Sequence, residues 1–348
     1  YAVRYHAAKP PDLLPADWLG DPWGASWPGL VPTGIQSAEA QSPPWALEQA
    51  EQFAASLGLP RLSARFWSRS EFRPMAQSEN RIRTARPATL HIDLEQEVRT
   101  VLDPAADDVF VAAHRQIANA HYAMAYSRPE IPPVLREASG RAMREGLAGF
   151  LAMAARRPGN LERLGLSKTK PLQERLLAEA LEQDLVSTVF FAGVLANFEY
   201  SLYHERLPAN QFNSKWWELT REYMRISPPE NRPSDLCDPC LRPQILVQPA
   251  RSYDRVVGLL IQYQINAYLA RELLKQDPRQ AEFARKDEIG GWLMQILAMG
   301  AARDWRALLR ERTGEDISSR PLVEYFRPIL EIEPRTRGKD EGEGSSAP

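Results

Sequence analysis

The run PLQERLLAEALEQDLVSTVFFAGVLANFEYSLYHERL, residues 171–207, limits the fold more than any other stretch. Its apolar residues recur at helical spacing, and no proline interrupts it between Leu172 and Leu207. Such a helix is too apolar to lie on a surface, so it predicts a central, largely buried element. SYDRVVGLLIQYQINAYLARELLKQ, residues 252–276, makes the same demand. A third run, EIGGWLMQILAMGAARDWRALLRERTG, residues 288–314, reads as one helix closed by Gly314. Helices of this kind need a broad helical shell. The 348 residues supply it, as one big domain or two ordinary ones.

Shorter signals fill in the rest. PPWALEQAEQFAASLGL predicts a helix from Pro44 to Leu57 with Gly58 as its stop. Asp107 or Asp108 caps a helix to about Tyr126, and Pro132-Pro133 begins another through Ala155. Strand alternation is confined to residues 86–101, around Leu90, Ile92 and Leu94. The first 45 residues are rich in Pro, Gly and Trp, which favours turns packed by indoles. The expected class is mainly α, with at most a few short strands. One domain is expected over residues 1–332, followed by a charged, Gly/Ser-rich tail, 333–348, expected to be disordered.

Composition excludes several roles. Lys and Arg number 43 against 45 Asp and Glu, a formal charge of -2, which predicts no attraction to nucleic acid or anionic membrane. No uninterrupted apolar run approaches the roughly 18 residues of a membrane span. The chain opens at Tyr1 without an initiator Met or a signal-like run, and reads as a mature product or a fragment. Its two cysteines stand in CDPC, too few for a disulfide framework.

Residues 109–149, VFVAAHRQIANAHYAMAYSRPEIPPVLREASGRAMREGLAG, hold the chemistry to be weighed. Metallopeptidase zinc is commonly held by H-E-x-x-H on one helical face, with the Glu activating the metal-bound water. His114 and His121 are seven apart instead, or ~10.5 Å of helical rise, so they are not a ligand pair. The plain reading puts one on the helix surface and packs the other. CDPC has a thiol-exchange spacing, yet it lies in a Pro-rich loop rather than in a βαβ unit. As a zinc site it is only half of one.

Tyr122, Met124 and Tyr126 reproduce a Y-x-M-x-Y pattern, followed by Arg136-Glu137-Ala138-Ser139-Gly140 and Met143-Arg144-Glu145-Gly146-Leu147-Ala148-Gly149. With LLPADWLGDPWGASWPGLV, SLGLPRLSARFWSRS, NQFNSKWWELTREYMRISPP, LLIQYQINAYL and EYFRPIL, these blocks resemble the angiotensin-converting enzyme family of zinc peptidyl dipeptidases. The resemblance covers about residues 10–332. It implies an α-helical fold with a deep central cleft, of which this chain lacks the N-terminal helices that form a lid. It also explains the Trp216-Trp217 pair as packing rather than a sugar or choline cage.

Carried over position by position, the family's zinc site is degenerate here. Its first His falls on Arg115, its catalytic Glu on Gln116 and its second His on Asn119, while the third ligand is kept as Glu145. Arginine has no free lone pair for a metal, and Gln116 cannot act as a general base. Glu145 is expected to pair with Arg115. The resemblance places the family's carboxylate-binding Lys, Gln and Tyr on Arg242, Ala25 and Ser252. It places one substrate-side His on Gln244, a second on His91, and the transition-state Tyr near Arg255, beside Tyr253. The chloride-site arginines fall on Asp254 and on the Phe198-Glu199-Tyr200-Ser201 segment. The family's disulfide cysteines are missing.

The sequence is compatible with three functions. The first is an inactive scaffold, with no cofactor expected although the family uses zinc and chloride, binding peptides with a free C-terminus or a partner. The second is a zinc metallopeptidase that releases C-terminal dipeptides through an altered site using His114 or His121. The third is a thiol redox module at CDPC. The resemblance also implies an extracellular, secreted or periplasmic location.

Overall fold

The computed structural model describes residues 11–19, 27, 42–70, 88–93, 97–101, 108–166, 171–228, 230, 232, 236–246 and 249–332. Along the chain come β1 (Leu14–Pro15), α1 (Pro43–Ser56), α2 (Ala64–Arg69), β2 (Ala88–Asp93), β3 (Glu97–Val101), α3 (Val109–Tyr126), α4 (Arg141–Ala155) and α5 (Pro158–Arg163). They are followed by α6 (Leu172–Glu179), α7 (Phe191–Tyr203), α8 (Phe212–Met224), β4 (Ile226–Ser227), α9 (Pro243–Leu246) and α10 (Ser252–Tyr268). The last are α11 (Glu288–Leu297), α12 (Trp305–Thr313) and α13 (Arg320–Phe326). The fold is mainly α, as expected. β2 and β3 pair as an antiparallel hairpin, while β1 and β4 share a two-residue parallel contact.

Helix ends follow local chemistry. The Asp108 carboxylate accepts from the Val111 N–H at 2.9 Å and starts α3. Asp304 accepts from the Arg306 and Ala307 N–H groups and starts α12, which Gly314 ends at φ 77°. That cap divides the run expected as a single helix over 288–314. The chain turns at Gly300, where a Cβ would meet Tyr126 Cβ and the Glu137 carbonyl oxygen at 2.7 Å. Pro132-Pro133 likewise begins only a 3-10 turn, Pro133–Leu135. The Tyr122 hydroxyl takes the Ser139 N–H at 3.0 Å, and α4 begins two residues later.

The long run of residues 171–207 is helical from Leu172 to Tyr203, but wider than an α-helix over Ala180–Phe190, which has π geometry. By length and composition Leu172–Tyr203 could cross a membrane, yet half of its most apolar window is buried inside the protein, as in a core helix. The run of 252–276 is α10 extended by a π turn, Leu269–Leu273.

The chain forms two compact units. One comprises the described residues within 1–33, 171–252 and 326–332; the other comprises those within 34–170 and 253–325. The first centres on Trp216, which meets Phe191 and Phe198 edge-on at 6.2 and 5.5 Å between ring centroids. The second buries the facing surfaces of α1, α3, α4, α10, α11 and α12 in one larger apolar cluster. The expected tail, 333–348, lies outside the described residues.

Candidate functional site

In the second unit α3 packs against α1 on one side and α4 on another. That sandwich buries both histidines of α3. His114 and His121 are 0% and 2% exposed, so the expectation of one surface histidine is corrected. Seven residues are two helical turns, which puts both rings on the same buried face. His114 Nδ1 donates to the Phe110 carbonyl at 2.7 Å, and its ring lies 4.2 Å from that of Phe110 and 5.9 Å from that of Phe53. Burial pushes both imidazoles down to about 4, so they are neutral near pH 7. Neither Nε2 has a hydrogen-bond partner among the described residues. These are packing groups.

Arg115 points instead toward α4. Its Nη2 donates to Glu145 Oε2 at 2.5 Å, with both side chains about one-third exposed. Glycines make the space for this pair. At Gly149, one turn beyond Glu145, a Cβ would stand 2.0 Å from Gln262 Oε1 and 3.3 Å from Arg115 Nη1. At Gly258 on α10 a Cβ would stand 2.7 Å from Glu145 Cβ. Bare backbone at 149 and 258 therefore lets α4, α10 and the Arg115 head converge. Gln116 is buried in α3, and Asn119 is half-buried with Oδ1 unpartnered among the described residues.

The remaining expected site residues fall elsewhere. Arg242 and Gln244 belong to the first unit. Arg242 is 8% exposed, and its guanidinium lies over the Phe191 and Trp216 rings, at 5.0 and 5.8 Å. Gln244 is half-buried in α9. His91 stands opposite Val98 in the β2–β3 pair, and its side chain lies outside the described residues, as does Ala25. Ser252 begins α10, Tyr253 is 58% exposed, and Asp254 lies 3.5 Å from Arg141. Glu199 accepts from the Ala250 N–H at 2.7 Å, and its carboxyl is pushed up by burial. Cys237 and Cys240 are joined by a disulfide.

The model of the angiotensin-converting enzyme peptidases, peptidase family M2, matches residues 4–341. The chain belongs to this family. It is 24% identical to the angiotensin-converting enzyme of Bos taurus over 356 residues, 95% of this chain and 26% of that protein. For the Rattus norvegicus enzyme the figures are 24% over 354 residues, 94% and 26%. The chain thus spans about a quarter of the length of the curated relatives it matches.

Membership in the angiotensin-converting enzyme family implies a zinc ion, and the residues present do not fit one. Arg115, expected at the first ligand position, is a guanidinium with no free lone pair and is already bonded to the Glu145 carboxylate. Gln116 and Asn119, expected at the catalytic-Glu and second-ligand positions, are both amides. Among the described residues no group of three His, Cys, Asp or Glu could hold a metal ion.

Two features were not found by reading the sequence. Arg157 is 1% exposed and donates to Tyr325, Asn266, Arg279 and Pro278. Asp238 accepts from Trp217 Nε1 at 2.7 Å and from Arg232. The partners of Arg157 lie more than a hundred residues away, and Trp217 lies 21 residues before Asp238, so no local pattern announces either network.

Proposed function

We propose that this chain is a non-catalytic member of the angiotensin-converting enzyme family, a scaffold in which an internal ion pair replaces the metal centre. The observation that carries the reading is the 2.5 Å bond between Arg115 and Glu145. A fixed cation then stands beside the carboxylate that a zinc ion would need, and Gln116 supplies no general base. The peptidase reading would require His114 or His121 to reach a metal with Glu145. The buried rings, with His114 Nδ1 committed to Phe110, weigh against it.

Partners of the scaffold are peptides with a free C-terminus, met outside the cytoplasm. The disulfide agrees with an oxidising compartment. Arg242 is the cation for the terminal carboxylate in this reading, although its burial against two aromatic rings leaves it little reach. The test is metal content and hydrolysis together. Protein dialysed against zinc should hold well under one equivalent and release no dipeptide from a blocked tripeptide. Stoichiometric zinc with chelator-sensitive dipeptide release would overturn the reading.

A further inference from the structure

The Cys237–Cys240 bond closes a ring of only four residues, and Cys240 is exposed while Cys237 is half-buried. A cross-link restricts the unfolded chain less as its loop shortens, so this one is near the minimum as a staple. The turn that presents it is held by other groups. Asp238 is 4% exposed; its N–H donates to Asn213 Oδ1 at 3.1 Å, and its carboxylate accepts from Trp217 Nε1 at 2.7 Å and Arg232 Nε at 3.0 Å. Pro239 is buried, and the Cys240 N–H donates to the Cys237 carbonyl at 3.2 Å. This frame holds the turn through groups other than the disulfide.

A bond that contributes little to the fold, is reachable from solvent and sits in a turn held by other groups is suited to opening and reclosing. We propose that Cys237–Cys240 is a thiol–disulfide exchange site whose co-reactants are small-molecule thiols and their disulfides. A thiolate attacks Sγ of the exposed residue Cys240, the Sγ–Sγ bond breaks, and Cys237 leaves as a thiolate that takes up a proton. A second thiolate attacks the external sulfur of the mixed disulfide. It releases the Cys240 thiolate and carries away the external disulfide, so two external thiols are oxidised as the protein disulfide is reduced. The reverse sequence reoxidises the pair. The reaction is independent of the metal-centre reading.

The experiment uses the full chain in glutathione buffers of graded redox poise, with quenching by alkylation and mass analysis. The expected result is reversible gain of two alkylated thiols, with the far- and near-UV circular dichroism unchanged. In separate arms, oxidised glutathione is offered to Cys237→Ser and Cys240→Ser. Cys240 in the first variant should form the mixed disulfide at least tenfold faster than Cys237 in the second. Resistance of the native disulfide to excess glutathione without denaturant would overturn the proposal. So would reduction accompanied by loss of the near-UV signal, which marks a structural staple, or equal reactivity of the two single variants.

Discussion

Arg115 of α3 and Glu145 of α4, thirty residues apart in sequence, are joined by a single charge-assisted bond of 2.5 Å. Each side chain keeps about one-third of its exposure, so water screens the pair and limits its contribution. A double-mutant cycle with Arg115→Met and Glu145→Gln should give a coupling of about 1 kcal/mol in urea denaturation. A coupling near zero would show that the pair does not hold α3 to α4.

The buried histidines set an acid limit. Their unfolded pKa is 6.5 and their folded value about 4, so the unfolded chain binds protons first as pH falls. Stability from this source is fully present above pH 6.5 and is lost between there and about 4. Each ring contributes a loss of roughly 3 kcal/mol across that window. Replacing His114 and His121 together by Gln should flatten the urea midpoint between pH 6.5 and 4, whatever the variant's own stability. An unchanged slope would refute the assignment.

Crowding at the α4–α10 crossing gives a third expectation. A Cβ at Gly146 would lie 2.6 Å from Ile261 Cγ2 and 2.8 Å from the Gly258 carbonyl oxygen. Backbone cannot yield as a flexible side chain can, so Gly146→Ala should lower stability by about 2 kcal/mol. Thermal unfolding of that variant, compared with an alanine at Gly291, where a Cβ meets nothing within 4 Å, separates crowding from helix propensity.

The sequence made the helices legible because their apolar period and caps are local. Asp108, Gly58 and Gly314 act where their position in the chain suggests. It misled where a long-range contact competes with a local pattern. Gly300 turns against Tyr126 and Glu137, and Tyr122 holds Ser139 ahead of α4. Arg115 and Gln116 drew notice only because the surrounding blocks resemble a known family. The pair with Glu145 then followed from charge. Nothing local marked Arg157, whose partners lie 109 to 168 residues away.

Arg242 gives a fourth expectation. Its guanidinium lies against Phe191 and Trp216 and the residue is 8% exposed, so a carboxylate ligand gains little from it. Free-acid peptides should bind only about two- to fivefold more tightly than amidated ones, the range of a weak ion pair. Arg242→Met should erase that preference. Equal binding of the two peptide forms by the unaltered protein would remove Arg242 from any carboxylate site.

The last expectation concerns restoring the metal centre. Arg115→His, Gln116→Glu and Asn119→His together would write H-E-x-x-H into α3, with imidazoles at i and i+4 and Glu145 released from its ion pair. Two neutral imidazoles and one carboxylate make a catalytic-type zinc set, and Glu145 already faces position 115 across the helix pair. The triple variant should therefore take up about one zinc per chain, measurable by metal analysis after dialysis. Hydrolysis should return poorly. Oxyanion donors are worth ~10²–10³-fold each, and in the proposed reading an arginine near position 255 replaces the family's transition-state Tyr. Gln116→Glu alone is the control, since it adds the acid but leaves Arg115 on Glu145. Equal zinc uptake by that control and the triple variant would show that Arg115 is not what keeps the metal out.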